Sequence, residues 1–324
     1  MRRLVLLNPA AGGGRAAHLE APLRERLHQR TRESLSDRSG DKARARGEHD
    51  TLIVTRSAEH LRNLLQRCEP GTRIVIVGGD GSLQNALPAL VAGRLEVGLV
   101  TCGSGNDLAR ALGVVRLGWR EALDLALDGR PGAVDLGEAR IGGTSHWFAS
   151  SLTAGFDSAI VRRTTGRLAA LPGRLKYLVA TLAEIGRLRH WPLRVRADGA
   201  AAFDGESLFA SVLNTPTYGS GLPAVPQARI DDHRLDLLVA GRFDRPSVLA
   251  MLPRLMLGRH LGDPRVRTQP FTTLELECVD GRVPVAADGE LIGEASRIDV
   301  QLHPAAIGIV RRVGGQSPAV PSGV

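Results

Sequence analysis

The sequence predicts an α/β amino-terminal domain, a parallel sheet with helices on both faces, followed by a mostly antiparallel, sandwich-like β domain. Three observations carry this. Up to about residue 134, short apolar runs alternate with helically spaced stretches and glycine-rich turns. Repeated strand–turn–helix units of that kind build parallel sheets. Beyond Asp135 short β-prone runs dominate instead, the pattern of antiparallel pairing. The chain has 324 residues, long for one compact domain, so two are expected.

Taken in order, Arg3–Leu7 reads as a strand, and Leu19, Leu23 and Leu27 share one helical face. Thr31 to Asp50 is rich in Arg, Ser, Asp and Gly without apolar periodicity, and reads as a mobile surface insertion. Thr51–Thr55 is a second strand, and Ser57 caps a helix carrying Leu61, Leu64 and Leu65. Arg73–Val77 is a third strand, with a helix from about Leu83; Glu96–Val100 is a fourth, with a helix ending near Gly113. The later strands are Trp147–Leu152, Leu193–Ala197, Leu208–Leu213, Leu235–Ala240, Leu274–Cys278 and Val283–Ala286. Helical segments interrupt them near Leu175–Leu188 and Ser247–Leu257, the second opened by Asp244 and Pro246. Residues 313–324, small and rich in Pro and Gly, are expected to be a disordered tail.

Composition narrows the function classes. Hydrophobic residues are 43%, charged residues 23% and aromatics only 3%, so the core must be built from Leu, Val, Ile and Ala. No run of about 18 apolar residues exists, so no spanning helix is expected. The apolar run in MRRLVLLNPAAGGGR is too short for a signal peptide and reads as a buried strand. Cys68, Cys102 and Cys278 are widely spaced, without a Cys-x-x-Cys pair, which argues against a disulfide framework or structural zinc and suits a reducing cytoplasm. The net charge of +8 suits anionic partners such as nucleotide phosphate or an acidic leaflet. The arginines are scattered, however, so a generally arginine-rich composition explains the charge equally well. Few aromatics and no recognised binding motif leave no nucleic-acid partner expected.

The chemistry is concentrated in glycine turns. Gly78-Gly79-Asp80-Gly81-Ser82 ends a strand and opens a helix. Glycines there let main-chain N–H groups approach phosphate oxygens, and the helix N-terminus adds partial positive charge. A carboxylate repels phosphate, so Asp80 points to a metal ion or to proton transfer, unless it is simply a helix cap. Gly103-Ser104-Gly105-Asn106-Asp107 and Asn8-Pro9-Ala10-Ala11-Gly12-Gly13-Gly14 also follow strands. In a parallel sheet all three turns lie at the carboxyl edge, where ligands bind. Neither a P-loop nor a dinucleotide fingerprint is present.

These turns, continued by Leu108-Ala109-Arg110, Asp135-Leu136-Gly137, Gly155-Phe156-Asp157, Asn214, Tyr218-Gly219-Ser220-Gly221 and Asp288-Gly289-Glu290, resemble the diacylglycerol kinase catalytic family. That family includes bacterial soluble diacylglycerol kinases, other bacterial lipid kinases, and sphingosine and ceramide kinases. The Gly-Gly-Asp-Gly core alone is shared with NAD kinases and phosphofructokinases. The resemblance implies a nucleotide-binding domain over residues 1–134, rejoined by about 293–312, a lipid-substrate domain over 135–292, and an active site in the cleft. It implies an ATP- and Mg²⁺-dependent kinase acting on a lipid hydroxyl, most simply diacylglycerol, with a sphingoid base or other lipid alcohol as alternatives. A NAD-kinase-like enzyme or a non-catalytic binding protein are the remaining rivals.

By the same resemblance, Asn8, Pro9, Ala10, Ala11, Gly12, Thr55, Gly78, Gly79, Asp80, Gly81, Ser82, Leu83, Gln84 and Ser104 would surround ATP. The base would be Glu290, with Asp288 beside it, as in bacterial members, or Asp80, as in sphingosine kinases. A structural magnesium ion would be held by the Asp232 side chain and the carbonyls of Arg229 and Arg234, although His233 stands where the family has Gly. Asn85 replaces a glutamate expected to contact the nucleotide, and Thr101-Cys102 replaces Pro-Leu, with Cys102 read as a packed residue. Arg162, Arg163, Arg167, Arg174, Lys176, Arg187 and Arg189 cluster around Leu168, Leu171, Leu175, Tyr177, Leu178 and Trp191. That cluster reads either as an ordinary packed amphipathic helix or as a transient contact with an anionic membrane. The expected location is cytoplasmic and peripherally membrane-associated, and a homodimer is one option for the assembly.

Overall fold

The computed structural model describes residues 3–36, 50–103, 105–165 and 173–312. Two compact units divide these residues: 3–134 with 306–312, and 135–305. The range from about 293, expected to rejoin the first unit, therefore includes residues 293–305 that belong to the second.

The first unit runs β1 (Arg3–Leu7), α1 (Glu20–Ser36), β2 (Asp50–Val54), α2 (Ala58–Gln66), β3 (Arg73–Gly78), α3 (Asp80–Ala92), β4 (Glu96–Thr101), α4 (Asp107–Ala111) and α5 (Trp119–Asp128). Strand order is β2-β1-β3-β4, all parallel. The end of β18 (Arg297–Val310) adds a further parallel strand through Gly308 and Ile309. β1, β3 and β4 are largely buried apolar runs, as a sheet covered on both faces requires, and the edge strand β2 is half-buried. Val5, Leu7, Val75 and Val77 pack with Leu23 and Leu27 of α1 and Leu123 and Leu127 of α5. Alternation sends Leu4, Leu6, Ile74 and Ile76 to the opposite face, where α3 lies on β3 and α2 on α3. Ser57 caps α2 as expected, accepting the His60 N–H. Residues 31–36, read from the sequence as the start of an insertion, instead extend α1. The Arg30 guanidinium just before them is tied to Asp124 and Asp128 of α5 at 2.8 Å each. The rest of that insertion and the tail lie outside the described residues.

The second unit runs β5 (Pro131–Ile141), β6 (Thr144–Phe148), β7 (Ser151–Gly155), α6 (Phe156–Thr165), α7 (Gly173–Gly186), β8 (Trp191–Ala197), β9 (Ala200–Ser207), β10 (Phe209–Leu213), β11 (Thr217–Tyr218), β12 (Leu222–Pro223), β13 (Leu235–Ala240), α8 (Arg245–Met256), β14 (Val266–Phe271), β15 (Thr273–Cys278), β16 (Val283–Ala287) and β17 (Glu290–Ala295) before β18. One antiparallel sheet has the order β14-β13-β10-β7-β16-β17. A second pairs β18, β15, β8 and β9, with β5 on β18 and β6 on β5. The core between them includes Phe148, Leu152, Val212, Leu237 and Phe271 with Leu193, Val195, Leu274, Leu276 and Ile298, the build of a β-sandwich.

The single strand expected over Trp147–Leu152 is two strands, β6 and β7, in different sheets. The chain turns between them because the main-chain N–H groups of Ala149, Ser150 and Ser151 all donate to the Asp288 carboxylate. Asp244 caps α8, accepting the Ser247 N–H, with Pro246 in its first turn.

Candidate active site

The three glycine turns of the first unit come together at the carboxyl ends of β1, β3 and β4. They do so main chain to main chain. A Cβ on Gly79 would sit 3.1 Å from the Gly103 Cα, and one on Gly103 would sit 2.9 Å from the Gly79 Cα. Gly12 has φ +64, and a Cβ there would lie 2.2 Å from the Cys102 carbonyl oxygen. Only glycine fits such contacts without displacing backbone.

Side chains then lock the turns. Asn8 accepts the Ala10 N–H at 3.1 Å and donates to the Ser82 hydroxyl at 2.8 Å, joining the first turn to α3. Ser82 and Leu83 are buried, whereas Ala10 is exposed. Asp80 opens α3, and its Oδ2 accepts the Asn106 N–H at 2.6 Å. Gly79, the cap position of α3, supplies no side-chain cap, leaving the first-turn N–H groups to other partners. Thr55 points inward: its N–H and hydroxyl both reach the Leu7 carbonyl, at 2.8 and 3.0 Å. Ser104 lies outside the described residues. Asn85 turns back on its own helix and donates to the Gly81 carbonyl at 2.7 Å. Burial pushes the Cys102 thiol up, only partly offset by Arg15, as befits a packed residue rather than a nucleophile.

Two residues without an assigned role belong to this group. Asn106 takes the left-handed conformation (φ 55) and donates to the Gly103 carbonyl at 2.7 Å. Its position inside the third turn was the available signal. Arg15 Nε donates to the Gly12 carbonyl at 2.8 Å, placing a cation beside the first turn. Only the triple glycine preceding it hinted at this.

In the second unit, Asp288 (φ 46) and Gly289 (φ 82) form a two-residue hairpin closed by the Ala287–Glu290 pair. Asp-Gly with both φ positive is the favoured turn for that geometry. The Asp288 oxygens accept from Ala149 (2.8 Å), Ser150 (2.8 Å) and Ser151 (2.9 Å). Glu290 is exposed. Asn214, fully buried, donates to the carbonyls of Asp135 (2.7 Å) and Ala149 (2.8 Å), bracing the same β6–β7 turn. Asp157, at the start of α6, accepts the Tyr218 hydroxyl at 3.0 Å. Burial pushes the Asp157 carboxyl up to about 6, against the pull of Tyr218.

The run Arg229–Arg234 is a loop leading into β13. His233 adopts φ 62, the conformation a glycine would take without strain. It is held there by the fully buried Asp135, which accepts its main-chain N–H at 2.7 Å and faces its ring Nδ1 at 3.2 Å. Asp232 accepts the Arg234 N–H at 3.1 Å, and burial pushes its carboxyl up. Asp236, which had no assigned role, is pushed up to about 6 by burial and by the charge of Asp232. Among the described residues no three His, Cys, Asp or Glu side chains gather as metal ligands do.

Comparison with known proteins agrees with this arrangement. Residues 2–139 match the family described as "Diacylglycerol kinase catalytic domain", and residues 150–311 match "YegS C-terminal NAD kinase beta sandwich-like domain". A protein of Mycobacterium tuberculosis named "Diacylglycerol kinase" is 33% identical over 269 residues, 82% of this chain and 86% of its own. A Stenotrophomonas maltophilia protein named "Probable lipid kinase YegS-like" is 32% identical over 65% of this chain and 77% of its own. The crystal structure of a diacylglycerol kinase from Bacillus anthracis superposes with TM-score 0.70 at 18% identity, covering 96% of this chain and 97% of that one. Yeast NADH kinase shares the fold at TM-score 0.50 and 11% identity, over 95% of this chain and 82% of its own. With both halves matched in order and one relative aligned along most of its length, the chain belongs to the diacylglycerol kinase family of lipid kinases.

Proposed function

We propose that this lipid kinase transfers the γ-phosphoryl group of ATP to the hydroxyl of a lipid alcohol, diacylglycerol being the first expectation. The observation that carries the reading is the gathering of three main-chain turns at one sheet edge, with a helix N-terminus that has no side-chain cap. Such a cradle suits oligophosphate. Asn8 to Gly12 and Gly78 to Gln84 would hold the phosphates. Mg²⁺ bound with ATP supplies charge neutralisation on those oxygens.

The lipid oxygen attacks the γ-phosphorus in line, the bond to ADP breaks, and the hydroxyl proton passes to a carboxylate. Glu290 is the better acceptor, because one Asp80 oxygen already serves the Asn106 N–H and both Asp288 oxygens serve the β6–β7 turn. Asp288 then positions the hairpin that presents Glu290, and Asp80 positions the third turn. A hard cation on the second unit fits the oxygen-donor chemistry around Asp232, with the carbonyls of Arg229 and Arg234 and the nearby Asp236 carboxylate. Diacylglycerol lies in bilayers, so transient contact with an anionic membrane surface is part of the reading. Among the described residues no helix is long and apolar enough to cross a membrane.

The test is transfer of labelled phosphate from ATP to a panel of lipid alcohols, with Glu290→Gln and Asp80→Asn as variants. Labelling of diacylglycerol with a loss of roughly 10²–10⁴-fold in Glu290→Gln is expected for a missing base. No lipid labelled at all, or Glu290→Gln within a few-fold of the parent, would sink it.

A further inference from the structure

The second unit carries two helices whose outward faces are apolar. On α7, Leu175, Leu178 and Leu182 recur at i, i+3 and i+7 and are each about half exposed. A stripe with that spacing belongs against a core, yet the opposite side of this helix, at Ala180 and Glu184, is the one buried, and of the stripe only its last position, Ile185, is covered. On α8, Leu249 and Met256 lie two turns apart on one face, and Leu257 follows directly. Met256 and Leu257 are 68% and 62% exposed, the highest of the large apolar side chains among the described residues. The two helices touch, so the stripes belong to one region of the surface. Isolated exposed leucines are ordinary; a grouped set marks an interaction site.

Charge identifies the occupant. From Leu175 to Arg189 the only acid is Glu184, which is buried and accepts from Arg163 at 2.6 Å. From Arg245 to Leu257 there is none. Arg187 and Arg189 follow α7, Arg245 and Arg254 lie on α8, and all four are exposed. Apart from Asp244, the exposed cap residue of α8, the exposed charges on and just after these two helices are basic, which is complementary to an anionic lipid leaflet. A second copy related by two-fold symmetry would set arginine against arginine.

We infer that α7 and α8 together form the face by which this enzyme docks on an anionic bilayer, their leucine and methionine side chains entering the leaflet and the arginines meeting its headgroups. This rests on the lipid-kinase reading only for its purpose; binding is measured without turnover. The α8 half was invisible to the sequence reading, which placed basic and apolar residues together only around α7.

The experiment is co-sedimentation of the full chain with vesicles of phosphatidylcholine alone or mixed with phosphatidylglycerol. It compares the parent, Met256→Glu with Leu257→Glu, Leu178→Glu with Leu182→Glu, and Val279→Glu as a control at another exposed apolar position (51%). The parent should bind mixed vesicles, and less so as salt rises. Each double variant should bind at least about tenfold more weakly, from the apolar burial it loses, while Val279→Glu binds as the parent does. Circular dichroism melts unchanged among the variants exclude unfolding as the cause. On a short-chain, water-soluble diacylglycerol the double variants should turn over as the parent does. A parent inactive on that lipid counts against diacylglycerol as substrate and leaves the docking result to stand alone. Double variants that bind mixed vesicles like the parent, binding indifferent to phosphatidylglycerol, or a dimer that the same substitutions dissociate would each overturn the proposal.

Discussion

Asp288 and Glu290, two residues apart, live in opposite surroundings. Asp288 is saturated with main-chain donors and Glu290 is exposed. Asp288→Asn puts an NH₂ group where an oxygen accepts, leaving at least one N–H of the β6–β7 turn without its partner. The expected cost is about 1–3 kcal/mol, read as a lower thermal midpoint, whereas Glu290→Gln should melt like the parent. Asp157 provides a pH test. Its folded-state pKa of about 6 lies above the ordinary 3.8, so the native state holds the proton more tightly than the unfolded one. The associated stability is fully present below about pH 4 and is lost as pH rises through about 6. Asp263 runs the other way: hydrogen-bonded by Arg265, it is held at about 2, and its contribution is present above about pH 4 and lost as pH falls through about 2. Asp157→Asn should therefore gain thermal stability relative to the parent between about pH 4 and pH 7. A difference in melting temperature that is the same at both pH values would refute the assignment.

At the scale of elements, the glycine turns were legible because glycine punctuates a sequence and because each follows an apolar run. What could not be read was how they touch. Gly105→Ala would place a Cβ 2.3 Å from the Asp80 Oδ2, prising apart the bond to Asn106. If these turns hold nucleotide, the KM for ATP should rise with a smaller change in the KM for lipid, measured by steady-state kinetics. Gly12→Ala adds a left-handed strain of roughly 1–2 kcal/mol to its contact with the Cys102 carbonyl. Other elements were illegible for physical reasons. The residues 149–151 look like strand, but their turn is dictated by Asp288, 139 residues beyond Ala149. β9 is built mostly of Ala, Gly and charged residues, with Phe203 as its one large apolar side chain, and is a strand because β8 pairs with it. β14 contains Pro270, which a strand tolerates at a sheet edge, where β14 lies. The site was legible as motifs, not as roles: Asn106, Arg15, Asn214 and Asp236 needed coordinates.

At the scale of the whole molecule, the first unit is discontinuous. Its β4 is covered by Gly308 and Ile309, from the far end of the chain. Gly308 lies against Pro131, and Val310 fills space beside Gly129. A fragment ending at residue 134 would leave β4, an apolar run, as an open edge, and open apolar edges self-associate. Light scattering should show that fragment aggregating where the full chain does not. The charge of +8 was readable from composition, but its grouping beside the exposed faces of α7 and α8 depends on the fold.

The glycine turns meet through main chain rather than through side chains. An inhibitor shaped like a phosphate and seated on them would be gripped by amide N–H groups, which only a substitution to proline can delete. A change at Gly12, Gly79 or Gly103 that could repel it would also drive backbone from its place. Resistance would then have to arise at surrounding side chains such as Asn8, Arg15 or Asn85, which makes those the positions to watch.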